Sequence, residues 1–140
     1  MIQVILGKKG TGKTKRLIDL ANDALKVEHG DILFIDDDKR YMYDLRHEIR
    51  FVDASEFALG EHRSQDWFYG LLGGMLAVNF DITLVFVDAF LKLVNNTDYN
   101  NLELLFEKLE TLSQDHNVNF VISVSGDPAQ LPEFITRYAI

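Results

Sequence analysis

The segment Gly7-Lys8-Lys9-Gly10-Thr11-Gly12-Lys13-Thr14 constrains this chain more than any other. Three glycines within six residues permit backbone angles that side-chain-bearing residues resist. Successive N–H groups in such a loop can turn inward and make a concavity for an anion. The apolar run Ile2–Leu6 precedes the loop and reads as a strand. Apolar residues at helical spacing follow it, namely Leu17, Ile18, Leu20, Ala21, Ala24 and Leu25. The new helix thus starts inside the loop and adds the partial positive charge of its N-terminus. Five of the fourteen basic residues lie between Lys8 and Arg16, although the chain as a whole carries 22 acidic residues and a formal charge of −8. A polyphosphate is the ligand that this combination implies.

The remaining apolar segments alternate between strand and helix. Strands are predicted at 2–6, 31–35, 49–53, 83–87 and 119–124. Helices are predicted at 13–26, 40–47, 63–79, 100–114 and 129–138, the last with Asp127 as its N-cap and Pro128 in its first turn. Gly70 and Gly74, four apart in the third helix, suggest close approach of another backbone. Strands that are apolar throughout and separated by helices call for a mostly parallel sheet covered on both faces. The 140 residues match one domain, 1–140, with no repeat or linker. At this length about 70% of the unfolded surface can be buried.

The loop fits G-x-x-x-x-G-K-[ST] without a mismatch. On these residues the chain resembles the P-loop NTPase superfamily, whose Walker A loop has this pattern. The resemblance implies a three-layer α/β core of about five strands in RecA-like order, with strand 119–124 between the loop strand and strand 83–87. It implies a nucleotide cradle made of Gly7, Lys8, Lys9, Gly10, Thr11, Gly12, Lys13, Thr14 and Lys15. Lys13 would bridge the terminal phosphates and the Thr14 hydroxyl would ligate Mg2+. Asp88, at the end of the apolar run Thr83–Val87, fits the carboxylate that holds the metal from the sheet edge. The implied ligands are ATP and Mg2+.

Many hydrolysing members carry Glu directly after that aspartate. Here Ala89 follows, and an alanine cannot polarise a water. Asp36, Asp37 and Asp38, after the second strand, are the alternative bases, although a solvated turn accounts for them equally well. Slow hydrolysis, partner-stimulated hydrolysis, transfer to a bound acceptor by a small kinase, and a nucleotide-gated module without turnover all remain consistent with the alanine. Ser123 and Ser125, at the tip of the last strand, match a γ-phosphate sensor, with Ser125 taken as the catalytic choice. Gly126-Asp127, followed by Gln130-Leu131-Pro132, is similar to motif III of superfamily-1 helicases, and a turn with a helix cap explains the same residues. As a whole the chain resembles short bacterial ATP-binding proteins, some of them labelled twitching-motility ATPases. Retraction ATPases proper are more than twice as long, with paired histidine boxes and an extra N-terminal domain.

Composition narrows the field. With no cysteine there is no disulfide, thiolate metal site or cysteine nucleophile. His29, His47, His62 and His116 include no pair at metal-ligand spacing. The acidic total argues against a duplex nucleic-acid partner, because phosphate contacts need a basic surface. The longest uncharged stretch, Trp67–Phe80, is fourteen residues, short of the roughly 20 needed to span a bilayer. Within it Trp67, Phe68 and Tyr69 read as core. The N-terminal apolar run precedes its lysines, the reverse of a signal peptide, so the expected location is cytoplasmic. Arg16, Arg40, Arg50, Arg63 and Arg137 are candidate arginine fingers, each also suited to a surface ion pair. Homo-oligomerisation or a protein partner is expected from a domain with no room for a lid or second motor unit.

Overall fold

A computed structural model describes all residues, 1–140. Five strands form one sheet: β1 (Ile2–Gly7), β2 (Asp31–Asp36), β3 (Arg50–Asp53), β4 (Ile82–Val87) and β5 (Asn119–Ser125). Every pairing is parallel and the spatial order is β1-β5-β4-β2-β3. The last strand therefore lies between the loop strand and the Asp88 strand, as the sequence predicts. The helices are α1 (Lys13–Ala24), α2 (Gln65–Val78), α3 (Phe90–Leu93), α4 (Glu103–His116) and α5 (Glu133–Thr136).

Side chains alternate across a strand with period two, and here they divide into two cores. Ile32, Phe34, Leu84, Phe86 and Val121 pack with Leu17, Ile18 and Ala21 of α1. Leu33, Ile35, Val85, Val87, Phe120 and Ile122 pack with the apolar residues of α2, α3, α4 and α5 on the other face. Three layers result. The free edge of β1 is covered by the C-terminal residues: Val4 N–H donates to Tyr138 O and Ile140 N–H to Val4 O. Phe68 is fully buried, and Trp67 and Tyr69 pack against the larger core. No helix is long and apolar enough to cross a membrane.

Several local expectations fail for identifiable reasons. The 40–47 segment contains only a 3-10 turn at Met42–Asp44. Asn22 of α1 donates to Asp44 O and accepts the Arg46 N–H, so tertiary bonds take groups a helix would need. The terminal helix begins only after Pro132. A residue before proline is disfavoured in the helical region, and Asp127 instead accepts the Ala129 N–H in a tight turn. No other element approaches Gly70 or Gly74, since outside the helix's own backbone no heavy atom lies within 4 Å of where their Cβ atoms would stand.

Candidate functional site

The loop after β1 has the backbone that its glycines foretell. Gly10 and Gly12 take φ of 82° and 86°. Gly7 needs its missing side chain, because a Cβ there would meet Thr11 Oγ1 at 2.5 Å. The Lys8 carbonyl accepts from Thr11 Oγ1 at 2.6 Å and from Lys13 Nζ at 3.0 Å, so the ammonium folds back across the loop. Gly12 caps α1 in a left-handed conformation, with no side chain on the helix's free N–H groups and no acidic residue in its first turn. Those donors stay available to an anion. Burial pulls the Lys13 pKa down from its ordinary value, against the opposing pull of the Asp88 charge.

The strand pleat aims the second half of the site. Asp36 continues the face of Ile32 and Phe34, Asp88 that of Leu84 and Phe86, and Ser123 that of Val121, all toward α1. Thr14 Oγ1 donates to Asp88 Oδ2 at 2.8 Å and Ser123 Oγ donates to Asp88 Oδ1 at 2.7 Å. Asp88 is 6% exposed and Asp36 4%. The parallel register pairs Ile35 with Val87, and Asp88 N–H donates to Ile35 O, so Asp36 at the end of β2 and Asp88 just after β4 stand side by side. Burial pushes the Asp36 carboxyl up to about 7, helped by the charges of Asp88, Asp38 and Asp37 and opposed by the Asp37 N–H that bonds its Oδ1.

The three aspartates at the end of β2 thus separate. Asp37 turns to the other face, where Arg63 Nε lies 2.9 Å away at an angle unsuited to a hydrogen bond. Asp38 accepts the Arg40 N–H at 2.8 Å and pairs with its guanidinium at 3.4 Å, closing a turn. Asp36 alone is buried at the sheet edge beside Asp88. The same alternation, applied to the sequence, would have set aside Asp37 but not Asp38; the end of β2 at Asp36 decides between the remaining two.

Of the arginines, Arg40 alone lines the cleft. Arg16 donates to Ile140 O, and Arg50, Arg63 and Arg137 pair with Asp31, Asp37 and Glu133. Ser125 is exposed at the cleft, and its carbonyl accepts the Tyr99 hydroxyl at 2.9 Å. Gly126 N–H donates to Gly7 O, tying the turn after β5 to the start of the loop. Ala89 stands half-buried with φ 55° and ψ 38°, a left-handed conformation that costs an alanine about 1–2 kcal/mol.

These parts surround one cleft of about 640 Å3 at the C-terminal edge of the sheet. A smaller hollow of about 270 Å3, beside Leu76, Phe80 and His116, lies on the far side of the fold and gathers none of these groups. No cluster of three or more His, Cys, Asp or Glu side chains is placed to hold a metal unaided. Thr14 and Asp88 offer two hard oxygen donors, which suits Mg2+ completed by phosphate oxygens and water.

No family model and no curated protein matches the sequence. Solved structures do match. The flagellar accessory protein FlaH from Methanocaldococcus jannaschii superposes with a TM-score of 0.53 at 14% identity, over 97% of this chain and 65% of FlaH. Cdc6p from Pyrobaculum aerophilum superposes with a TM-score of 0.53 at 18% identity, over 99% of this chain and 38% of Cdc6p. The fold is that of the P-loop ATPases. This chain is therefore similar to about two thirds of one of these proteins and to well under half of the other.

Proposed function

We propose that this P-loop domain binds ATP or another NTP with Mg2+ and hydrolyses it slowly. The observation that carries the reading is the meeting of Lys13, Thr14 and Asp88 at the open N-terminus of α1. Lys13 would leave the Lys8 carbonyl to neutralise the β- and γ-phosphates, while the N–H groups of residues 7–15 cradle them. A metal ion between Thr14 and Asp88 would neutralise charge on the same phosphates. Ser123 would keep Asp88 oriented through its hydrogen bond, and Ser125, which lines the cleft, would sense the γ-phosphate. Catalysis of this class consists mainly of positioning and charge stabilisation.

Asp36 takes the place of the absent glutamate after Asp88. Its Oδ1 is held by the Asp37 N–H, and its Oδ2 has no hydrogen bond within the protein. A carboxylate near neutrality in its proton affinity suits proton transfer at physiological pH. A partner, or further copies of this chain, would set when the slow reaction runs, in a cytoplasmic setting.

Calorimetry with MgATP and MgGTP tests the core of this reading. Lys13→Ala removes a charge-assisted contact worth about 1.5–3 kcal/mol, so affinity should fall at least tenfold. Failure of both nucleotides to bind the unaltered protein would remove the reading. Tight binding with no phosphate release under any condition would leave a nucleotide-gated module instead.

A further inference from the structure

Arg63 differs from every other arginine of the chain. The others are exposed, whereas the Arg63 side chain is 16% exposed. It does not line the cleft, so it is no finger for a phosphate on the loop. Its Nε stands 2.9 Å from Asp37 Oδ1, and a terminal nitrogen lies 3.5 Å from the fully exposed Glu61 carboxylate. Both Arg63 Nε and Asp37 Oδ1 are buried, and neither has a hydrogen bond. Charges taken out of water need each other, so this pair fixes where the Asp37 side chain stands.

Asp37 also holds Asp36. Its N–H donates to Asp36 Oδ1 at 2.7 Å, which leaves Oδ2 as the oxygen without a protein partner. That N–H belongs to the rigid peptide plane between residues 36 and 37. Arg63 grips the Asp37 side chain on the α2 face of the sheet, and the same residue's N–H aims the Asp36 carboxylate on the α1 face. A second tie holds the same stretch of chain. Lys39 Nζ pairs at 2.7 Å with Glu56 Oε1, in the 3-10 turn Ala54–Phe57 that follows β3. Two ion pairs of opposite sense therefore join residues 37 and 39 to the segment between β3 and α2. The Lys39 pair is exposed and screened by water, so the buried Arg63 pair is the stronger constraint.

We propose that Arg63 is a positioning residue for hydrolysis: acting through Asp37, it holds the Asp36 carboxylate turned so that Oδ2 faces the attacking water. The proposal rests on the nucleotide reading above, with Asp36 as the base. In the reaction a water O–H gives its proton to Asp36 Oδ2. The water oxygen forms a bond to the γ-phosphorus. The bond from that phosphorus to the β,γ-bridging oxygen breaks, and ADP leaves with the electron pair. Arg63 takes no part in that exchange. Without its pair the 36–37 peptide turns more freely, and the carboxylate spends less time aimed at the water. The loss then falls on kcat and spares nucleotide binding, which depends on Lys13, Thr14 and Asp88.

Phosphate release at saturating MgATP gives kcat, and calorimetry gives MgATP affinity. Arg63→Met removes the charge and keeps much of the side chain's length. It should lower kcat about tenfold, less than the roughly 100-fold that a fixed misplacement of the base would cost, with affinity within about twofold of the parent. In an Asp36→Asn background the same substitution should cost less than about twofold more, because its route to the reaction is already gone. If Arg63→Met does not fold, Asp37→Asn breaks the pair from its other end and should show the same loss and the same dependence on Asp36. Unchanged kcat in the folded variant, a tenfold loss that persists beside Asp36→Asn, or an equal fall in affinity overturns the proposal and leaves the nucleotide reading standing. That reading falls, and this proposal with it, if the unaltered protein neither binds MgATP nor releases phosphate. An Asp36→Asn variant as fast as the parent removes Asp36 as the base, and Arg63's role with it.

Discussion

Replacing Asp36 with asparagine should make the protein more stable and less active at once. Asp36 is 4% exposed, and its carboxyl is raised from 3.8 to about 7, chiefly by burial. A carboxyl with a higher value in the folded state than in the unfolded one keeps its proton longer in the fold. Below about pH 3.8 both states are protonated and nothing is lost. From there to about pH 7 the unfolded chain ionises first, so stability falls as pH rises; above 7 the loss is constant. The full shift of about three units equals about 4 kcal/mol at 1.36 kcal/mol per unit. Water in the cleft screens part of it, which brings the expected loss to about 2 kcal/mol. The asparagine side chain has no charge to bury and can still accept the Asp37 N–H. Urea unfolding should therefore show a small advantage for Asp36→Asn at pH 5, growing to about 2 kcal/mol at pH 8. MgATP turnover by the same variant should fall about 100-fold, the lower range for loss of a general base. A variant no more stable than the parent at pH 8, or an advantage of equal size at pH 5 and pH 8, would refute the reasoning.

Three further substitutions probe the site and the sheet that carries it. Ser123→Ala leaves the buried Asp88 Oδ1 without its donor, so thermal unfolding should report a loss of about 1–3 kcal/mol and MgATP affinity should drop several-fold; unchanged affinity would separate Ser123 from the metal carboxylate. Gly30→Ala places a methyl group into the Thr83 side chain and the Asp81 carbonyl, and chemical denaturation should show a loss of about 1–3 kcal/mol. Ala89→Gly releases a left-handed alanine and should raise stability by about 1 kcal/mol, a gain that would vanish if the residue after Asp88 were free to relax.

What could be read in the chain follows from what is local. The loop was legible because its chemistry is consecutive: glycines, lysine and threonine act through their own backbone and the helix that follows. The parallel sheet could be anticipated because its strands are apolar throughout and separated by helices, whereas the strand order was implied only by the resemblance of the loop to that of the P-loop NTPases. The short helices at 40–47 and 129–138 were misjudged because their outcome depends on Asn22 and on Pro132, whose effects outweigh weak intrinsic propensity. The turn at Asp127 looked like a helix cap because an aspartate makes the same backbone bond in either setting.

By itself the sequence determined that this protein carries a glycine-rich basic loop on an α/β frame, because G-x-x-x-x-G-K-T sets backbone angles and charge within eight neighbours. Only the tertiary structure decided which distant groups serve that loop. Ser123 and Asp88 meet Thr14 because β5 and β4 lie beside one another, with matching faces toward α1. Asp36 joins them because a strand presents alternate residues to alternate sides, which turns Asp37 away, and because Asp38 lies beyond the strand in a turn with Arg40; the side that Asp36 shares with Asp88 is fixed by register, which is a property of the sheet and not of either segment alone.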